Sequence, residues 1–359
     1  MLDLWGSFST DLGVDLGTDH TRICLRDEGI VLDEPTAAAV DLRQGKILAL
    51  GREARQMLGR TPEGIQVVRP LQNGVIADFD LTRRMLKGFL RQALGKRPLF
   101  RPRLVLSVPC GVNSVERRAV LDAAMEAGAG EAYLLEAPLA AALGAGIPVR
   151  ETKSCLVVDR GAGATEAAVL TQGKIAVSRL LRQGGRSLDE ALVQYSRKKY
   201  NLLIGSLQAE QVKIEIGTVR DTVPPAYMDL RGRDLITGLP RSVTIDQNQL
   251  QEALWEPVHR MVDCVRNLLE QLPDLLARDV AERGIVLTGG GALLRNFDWN
   301  FVIRKLNDKA NFSSPQTDQK GFAIRDASEF GKHIDRETQI KNAKEQFDYL
   351  LHHFFGTGD

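Results

Sequence analysis

The sequence predicts an α/β protein of two similar domains, each carrying a small insert. Three observations support this. The chain has 359 residues, more than one ordinary hydrophobic core covers. One pattern occurs twice, as DLGVDLGTDHTRICLR over residues 11–26 and as CLVVDRGAGATEAAVLTQGKIAVSRL over 155–180. Each copy is an apolar strand ending in an aspartate (Asp15, Asp159), a glycine-containing turn and a second strand, so the halves are expected to be related. Finally, residues 30–75 and 217–245 hold short strands between Gly and Pro turns, as inserts would. The expected domains are 1–150, with an insert at about 30–75, and 151–296, with an insert at about 186–249. Residues 297–359 form a separate tail.

The remaining elements follow from periodicity. In RPRLVLSVPC, Leu104, Leu106 and Val108 alternate with Val105 and Ser107, which predicts a strand. Ser114–Ala127 is a helix with Glu116, Arg117 and Arg118 on its polar side. The Ala-rich stretch from Ala137 to Leu143 starts beside Pro138, a favourable first-turn residue. Ser187–Tyr200 and Gln249–Leu272 read as amphipathic helices, and ERGIVLTGGGALLRN as a buried strand, a glycine turn and a helix start. The tail is polar and rich in Asn, Gln and Lys. It holds one late amphipathic helix, with Ile340, Phe347, Leu350, Leu351 and Phe354 on its apolar face.

Composition excludes several classes of function. Lys plus Arg (47) and Asp plus Glu (46) nearly cancel, so no global field recruits nucleic acid. No apolar run reaches the roughly 18–20 residues of a membrane span. The N-terminal MLDLWGSF lacks the basic start and cleavage site of a secretory signal. Cys24, Cys110, Cys155 and Cys264 share no ligand spacing and are expected as reduced thiols in a cytoplasmic protein.

The chemistry-bearing residues cluster at the turns. Gly17, Thr18, Asp19 and His20 follow Asp15, and a turn of this kind lets backbone N–H groups approach phosphate oxygens. Alone it reads equally as an ordinary hairpin, and His20 as a phosphate donor or a surface imidazole. The second copy, with Asp159, Gly161, Ala162, Gly163 and Thr165, makes a pair of phosphate-compatible hairpins. Asp15 and Asp159 would hold Mg²⁺ through water, since Mg²⁺ keeps most of its hydration shell. Gly289, Gly290, Gly291 and Ala292 after Thr288 leave room for a flat adenosine on bare backbone, with a helix N-terminus favouring a nearby anion. Glu210 and Lys213 share one helix face, either bracketing ribose and base or forming an ion pair.

These elements, in this order, resemble the nucleotide site of the actin-like ATPase superfamily, which includes actin, heat-shock ATPase chaperones and sugar kinases. IVLDEPTAAAV, MLGRTPEGI, RPLQNGVIADFD, SVPCGVNSVERRAV, RKKYNLLIG, RGRDLITGLP and ERGIVLTGGGALLRN resemble segments of the MreB family over residues 10–298. The resemblance implies an actin-like (ribonuclease H-like) duplicated fold, each domain a mixed sheet with flanking helices. It also implies ATP and Mg²⁺ between the domains, self-assembly into filaments, and a cytoplasmic location at the inner face of the cell membrane. Cell-wall elongation machinery is the implied partner. A chaperone is disfavoured because the sequence shows no substrate-binding β domain, and the inserts carry no sugar-kinase pattern. Leu99 and Phe100 match the family's membrane-touching loop, with Lys96, Arg97, Arg101 and Arg103 flanking it. Leu2, Leu4, Trp5 and Phe8 are a second, weaker anchor candidate.

Several positions depart from the family. LLEAPLAAA puts Ala137 where the family has the glutamate that orients the attacking water. Glu136 is adjacent, but one helical residue rotates a side chain by about 100°, so binding without efficient hydrolysis is expected. Arg186 after Gly184-Gly185 replaces an aspartate, and Arg160, Asp19 and His20 are atypical for the phosphate turns. After Asn296 the resemblance fades.

Overall fold

A computed structural model describes residues 10–26, 28–95, 101–220 and 223–297. The expectations for Leu2, Leu4, Trp5 and Phe8, for Leu99 and Phe100, and for the tail beyond Phe297 lie outside these residues. The described chain falls into two compact units that divide between Pro148 and Val149.

The first unit contains β1 (Asp11–Leu16), β2 (His20–Leu25), β3 (Gly29–Pro35), β4 (Ala38–Asp41), β5 (Lys46–Leu50), α1 (Gly51–Gln56), β6 (Ile65–Val68), β7 (Leu71–Gln72), β8 (Val75–Ile76), α2 (Phe79–Leu94), β9 (Arg103–Val108), α3 (Ser114–Ala127), β10 (Glu131–Glu136) and α4 (Ala137–Gly144). Its main sheet has the order β10-β9-β1-β2-β3. The hairpin strands pair antiparallel, whereas β9 runs parallel to both β1 and β10. Leu12, Val14, Leu104 and Leu106 are buried in one cluster with Met85, Leu86 and Phe89 of α2. The helix ends are set locally. Asp78 accepts from Leu81 N at the start of α2. Asn113 and Glu116 cap α3 reciprocally, at 2.8 and 2.9 Å. The insert is a separate sheet, β5-β4-β6, carrying α1, followed by the β7–β8 hairpin.

The second unit contains β11 (Cys155–Arg160), β12 (Thr165–Thr171), β13 (Lys174–Leu181), α5 (Gly185–Tyr200), β14 (Leu202–Leu203), α6 (Ser206–Ile216), β15 (Tyr227–Asp234), β16 (Pro240–Asp246), α7 (Gln247–Leu269), α8 (Asp274–Arg283) and β17 (Ile285–Thr288). Its main sheet, β13-β12-β11-β17, repeats the first unit's order and directions: an antiparallel meander with a parallel strand beside its first member. The sheets correspond strand for strand, except that β10 has no counterpart among the described residues. The insert is the β14-β15-β16 sheet, with α6 packed on it. Both sheets are mixed and helix-flanked, as the sequence predicts.

One expectation fails. The glycine turn after β17 leads into a four-residue 3-10 helix, Gly290–Leu293, and the chain is extended again at Leu294. Consecutive glycines are poor helix formers, and Ala292 N–Gly289 O (3.1 Å) and Leu294 N–Gly291 O (3.3 Å) tighten this turn without extending it. An α-helix dipole therefore gives no support to an anion site there. Arg103 also differs from its expected role beside a membrane loop. It is the first residue of β9 and grips the buried Asp11 bidentately, donating from Nε and Nη2 at 2.7 and 3.0 Å. All four cysteines are free. No helix among the described residues is long and apolar enough to cross a membrane.

Candidate functional site

In the first unit the candidate residues gather at the carboxyl ends of the parallel strands β1, β9 and β10, where open α/β sheets commonly place their ligands. Gly17 N donates to His20 O at 3.1 Å, closing the β1–β2 turn tightly. A Cβ on Gly17 would lie 2.6 Å from that oxygen, so the turn requires glycine. The turn is braced from outside. Thr36 donates its N–H to Asp19 O (2.9 Å) and its hydroxyl to Gly17 O (2.8 Å). Thr18 Oγ1 accepts from Gly74 N in the β7–β8 hairpin, at 2.9 Å.

Asp15 accepts a hydrogen bond from Ser107 Oγ of β9 at 2.9 Å and lies 3.7 Å from Arg22. Surrounding protein raises its pKa, while the Ser107 bond and Arg22 oppose the shift. Half of the Asp15 side chain is nevertheless open to solvent, which tempers that upward shift. Asp19 is held by Arg55 (3.5 Å) and Arg69 (3.8 Å), both contributed by the insert and the strand leaving it. His20 stands between two carboxylates, Asp19 at 3.8 Å and Asp33 at 3.1 Å. At the end of β10, Glu136 is the N-cap residue of α4 and Ala137 is its first helical residue. The Glu136 carboxylate accepts from Arg117 of α3 at 3.1 Å.

The second unit assembles a matching corner. Asp159 closes β11 opposite Thr288 of β17, whose hydroxyl donates to its carboxylate at 3.0 Å. Gly161 N donates to Ala164 O (2.9 Å), and the Gly161–Ala164 turn is stitched to the start of α5. Gly185 N donates to Gly161 O (3.0 Å), and Arg186 N to Ala162 O (2.9 Å). This contact explains Gly184, where a Cβ would lie 2.4 Å from Gly161 O. Thr165 Oγ1 donates to Gln183 O at 2.8 Å. Lys213 of α6 reaches the same place, donating to Gly185 O (3.0 Å) and pairing with Asp189 (2.7 Å). Its ion pair is thus with α5. Glu210 sits one turn earlier on α6, partly exposed. Gly289, at φ +81°, crosses the end of β11 so closely that a Cβ would lie 2.4 Å from Arg160 O. Asp159, Gly161–Thr165, Lys213 and Gly289–Ala292 therefore share one edge of this unit.

Each unit offers one carboxylate at a strand end beside a turn of close-packed backbone. No cluster of three or more potential metal-ligating side chains occurs among the described residues. A donor set of single carboxylates suits a cation that keeps its water, as Mg²⁺ does, and not a closed protein cage. Ser107, Thr36, Arg55 and Arg69 were not predicted as site residues. They reach the turn through strand pairing or from the insert; Ser107, Thr36 and Arg69 lie at or beside strand ends, whereas Arg55 lies on α1 and carried no sequence signal.

A sequence model of the MreB/Mbl protein family matches residues 9–309. The chain is 46% identical over 302 residues to the cell shape-determining protein MreB of Escherichia coli K12, covering 82% of this chain and 86% of that protein. It is 41% identical over 291 residues to the cell shape-determining protein Mbl of Bacillus subtilis 168, covering 81% and 87%. MreB5 of Spiroplasma citri, solved with AMPPNP, superposes with a TM-score of 0.81 at 30% identity, over 97% of each chain. The MamK double helical filament shares the fold, with a TM-score of 0.70 at 22% identity, over 84% of this chain and 91% of that one. With the family matched across most of its length and the duplicated sheet order in place, the chain belongs to the MreB/Mbl family of actin-like proteins.

Proposed function

We propose that this chain binds one Mg·ATP with both units and assembles into filaments at the inner face of the cell membrane. These filaments direct cell shape and wall synthesis, and hydrolysis in them is slow. The observation that carries the reading is the paired arrangement of Asp15 beside the Gly17 turn and Asp159 beside the Gly161 turn, each at the carboxyl end of a corresponding strand. Two relatives support it: E. coli MreB, by its name a cell shape-determining protein, and Spiroplasma MreB5, solved with AMPPNP and with ADP.

In this reading the Gly17–His20 and Gly161–Thr165 turns receive the phosphates, and Asp15 and Asp159 hold the magnesium through water. Gly289–Ala292, Glu210 and Lys213 accommodate the nucleoside. The metal, once bound, neutralises charge on the phosphates. A head-to-tail contact between copies that does not close on itself then yields a filament. Leu99 and Phe100 contact the bilayer, and avidity along the filament multiplies a weak anchor.

Sedimentation with Mg·ATP tests assembly directly. Polymers are expected in the pellet with Mg·ATP and not with EDTA, and vesicles containing anionic lipid are expected to co-sediment. Leu99→Ser with Phe100→Ser should abolish vesicle capture while leaving polymers intact. Failure to polymerise with any adenine nucleotide would refute the reading. Asp19 yields a further expectation, because it adds a negative charge to a phosphate-receiving turn. Asp19→Ser should tighten Mg·ATP roughly two- to fivefold, with a smaller gain in high salt, since its arginine partners already offset part of its charge. Equilibrium titration at two salt concentrations checks this.

A non-hydrolysing scaffold is the second reading. It is favoured by Ala137 and by the engagement of the adjacent Glu136 with Arg117.

A further inference from the structure

Arg160 has the largest side chain among the residues that are almost wholly buried, at 1% exposure, and it lies directly beneath the glycine turn of the second unit. Its Nη1 donates to Gly291 O at 2.9 Å. Its guanidinium carbon stands 4.1 Å from the centre of the Phe297 ring, itself 5% exposed. The aliphatic stem fills the space that a side chain at Gly291 would take: a Cβ there would lie 2.6 Å from Arg160 Cγ. Arg160 Nε and Nη2 are buried without hydrogen-bond partners.

Such a residue is costly to keep. Burial pushes its pKa down to about 9, so it remains charged near neutrality, with one hydrogen bond and one aromatic face as its visible compensation. That compensation runs along the turn. Gly291 is in its middle, and Phe297 lies just beyond its exit, fastened by Phe297 N to Leu294 O (3.0 Å). Asn296 Nδ2 donates to Thr218 Oγ1 at 2.8 Å and Val219 N to Arg295 O at 3.3 Å, anchoring the exit to the segment after α6. The turn is short, nearly side-chain-free and closed by i→i+3 bonds such as Ala292 N to Gly289 O (3.1 Å) and Leu294 N to Gly291 O (3.3 Å). Its height above the sheet is therefore set from below, by the side chain of Arg160.

We propose that Arg160 is a positioning residue for nucleotide binding: it fixes the Gly289–Ala292 backbone at the level on which the nucleoside packs, without itself touching the ligand. The inference rests on the nucleotide-binding reading above and adds to it which half of the ligand this residue serves. A brace under the nucleoside affects ATP and ADP alike, whereas a residue serving the γ-phosphate would separate them.

The experiment is a calorimetric titration of the full chain, its Arg160→Leu variant and its Arg160→Lys variant with Mg·ATP and Mg·ADP. Arg160→Leu is expected to weaken both nucleotides by the same factor, about ten- to hundredfold, at unchanged stoichiometry. Arg160→Lys, which keeps a charged donor within reach of Gly291 O, is expected to recover part of that loss. Unchanged affinity, a loss confined to ATP, or a falling stoichiometry at constant affinity would each overturn the proposal. If Arg160→Leu does not fold, the lysine variant and Phe297→Leu carry the same comparison, each expected to weaken both nucleotides equally. Absence of nucleotide binding by the unmodified chain would instead overturn the underlying reading, and the two failures are thereby distinguished.

Discussion

Ala137→Glu is expected to accelerate phosphate release from polymerised protein by on the order of 10²-fold, the usual scale for a positioned group that acts on a reacting water. The cause lies at the end of β10. Glu136 occupies the N-cap position of α4 without capping it by its side chain, which Arg117 of α3, 3.1 Å away, holds instead, leaving the next residue to address whatever lies beyond the strand end. That residue is alanine, at the position where the family resemblance implies a water-orienting glutamate. The replacement is well tolerated by the helix. Ala137 is only partly buried, and an acidic side chain in the first helical turn interacts favourably with the exposed N–H groups there. Phosphate release per polymer, followed over time, checks the expectation. Brisk release by the unmodified chain would contradict it, and Glu136→Gln would then show whether the neighbour serves after all.

The second large effect is on stability. Gly289→Ala should lower the stability of the second unit by about 3 kcal/mol, because it combines a left-handed backbone with a blocked position. At φ +81°, an alanine Cβ would lie 2.4 Å from Arg160 O and 2.6 Å from Asp159 Oδ1. Relief requires β17 and β11 to separate at the strand ends where Thr288 and Asp159 are hydrogen-bonded. The midpoint of thermal unfolding should fall by roughly 6–12 °C. Gly290→Ala is the internal control. No atom lies within 4 Å of its added Cβ, and the expected change is within about 0.5 kcal/mol. Equal effects from the two variants would refute this account of the turn.

Both duplicated sheets were legible because each begins with a hairpin whose apolar alternation, terminal aspartate and glycine turn lie within about sixteen consecutive residues. The helix at 114–127 was legible through its periodicity, with Glu116, Arg117 and Arg118 on one side, and that at 137–144 through Pro138 in a first turn. Contacts distant in sequence were not legible. Ser107 reaches Asp15 only because β9 lies parallel to β1, and Arg55 and Arg69 reach Asp19 only through the insert. Arg103 looked like one of several basic residues around an apolar loop, but its partner Asp11 is 92 residues away. The GGGALL segment misled for a different reason. Its apolar residues suit a helix, but the glycines before them favour a turn that other parts of the unit hold in place. Lys213 was paired with Glu210 by their spacing, but its ion-pair partner, Asp189, lies on α5 and not one turn away on α6.

In the function proposed above, the glycine turns of both units serve nucleotide binding. Titration of the full chain with Mg·ATP tests it most directly, repeated for Gly17→Val in the first unit and Gly184→Val in the second. One nucleotide per chain is expected, with affinity falling at least about tenfold in either variant, because each blocks a turn proposed above to receive phosphate. Two nucleotides per chain, or full affinity in a folded variant of either turn, would contradict it.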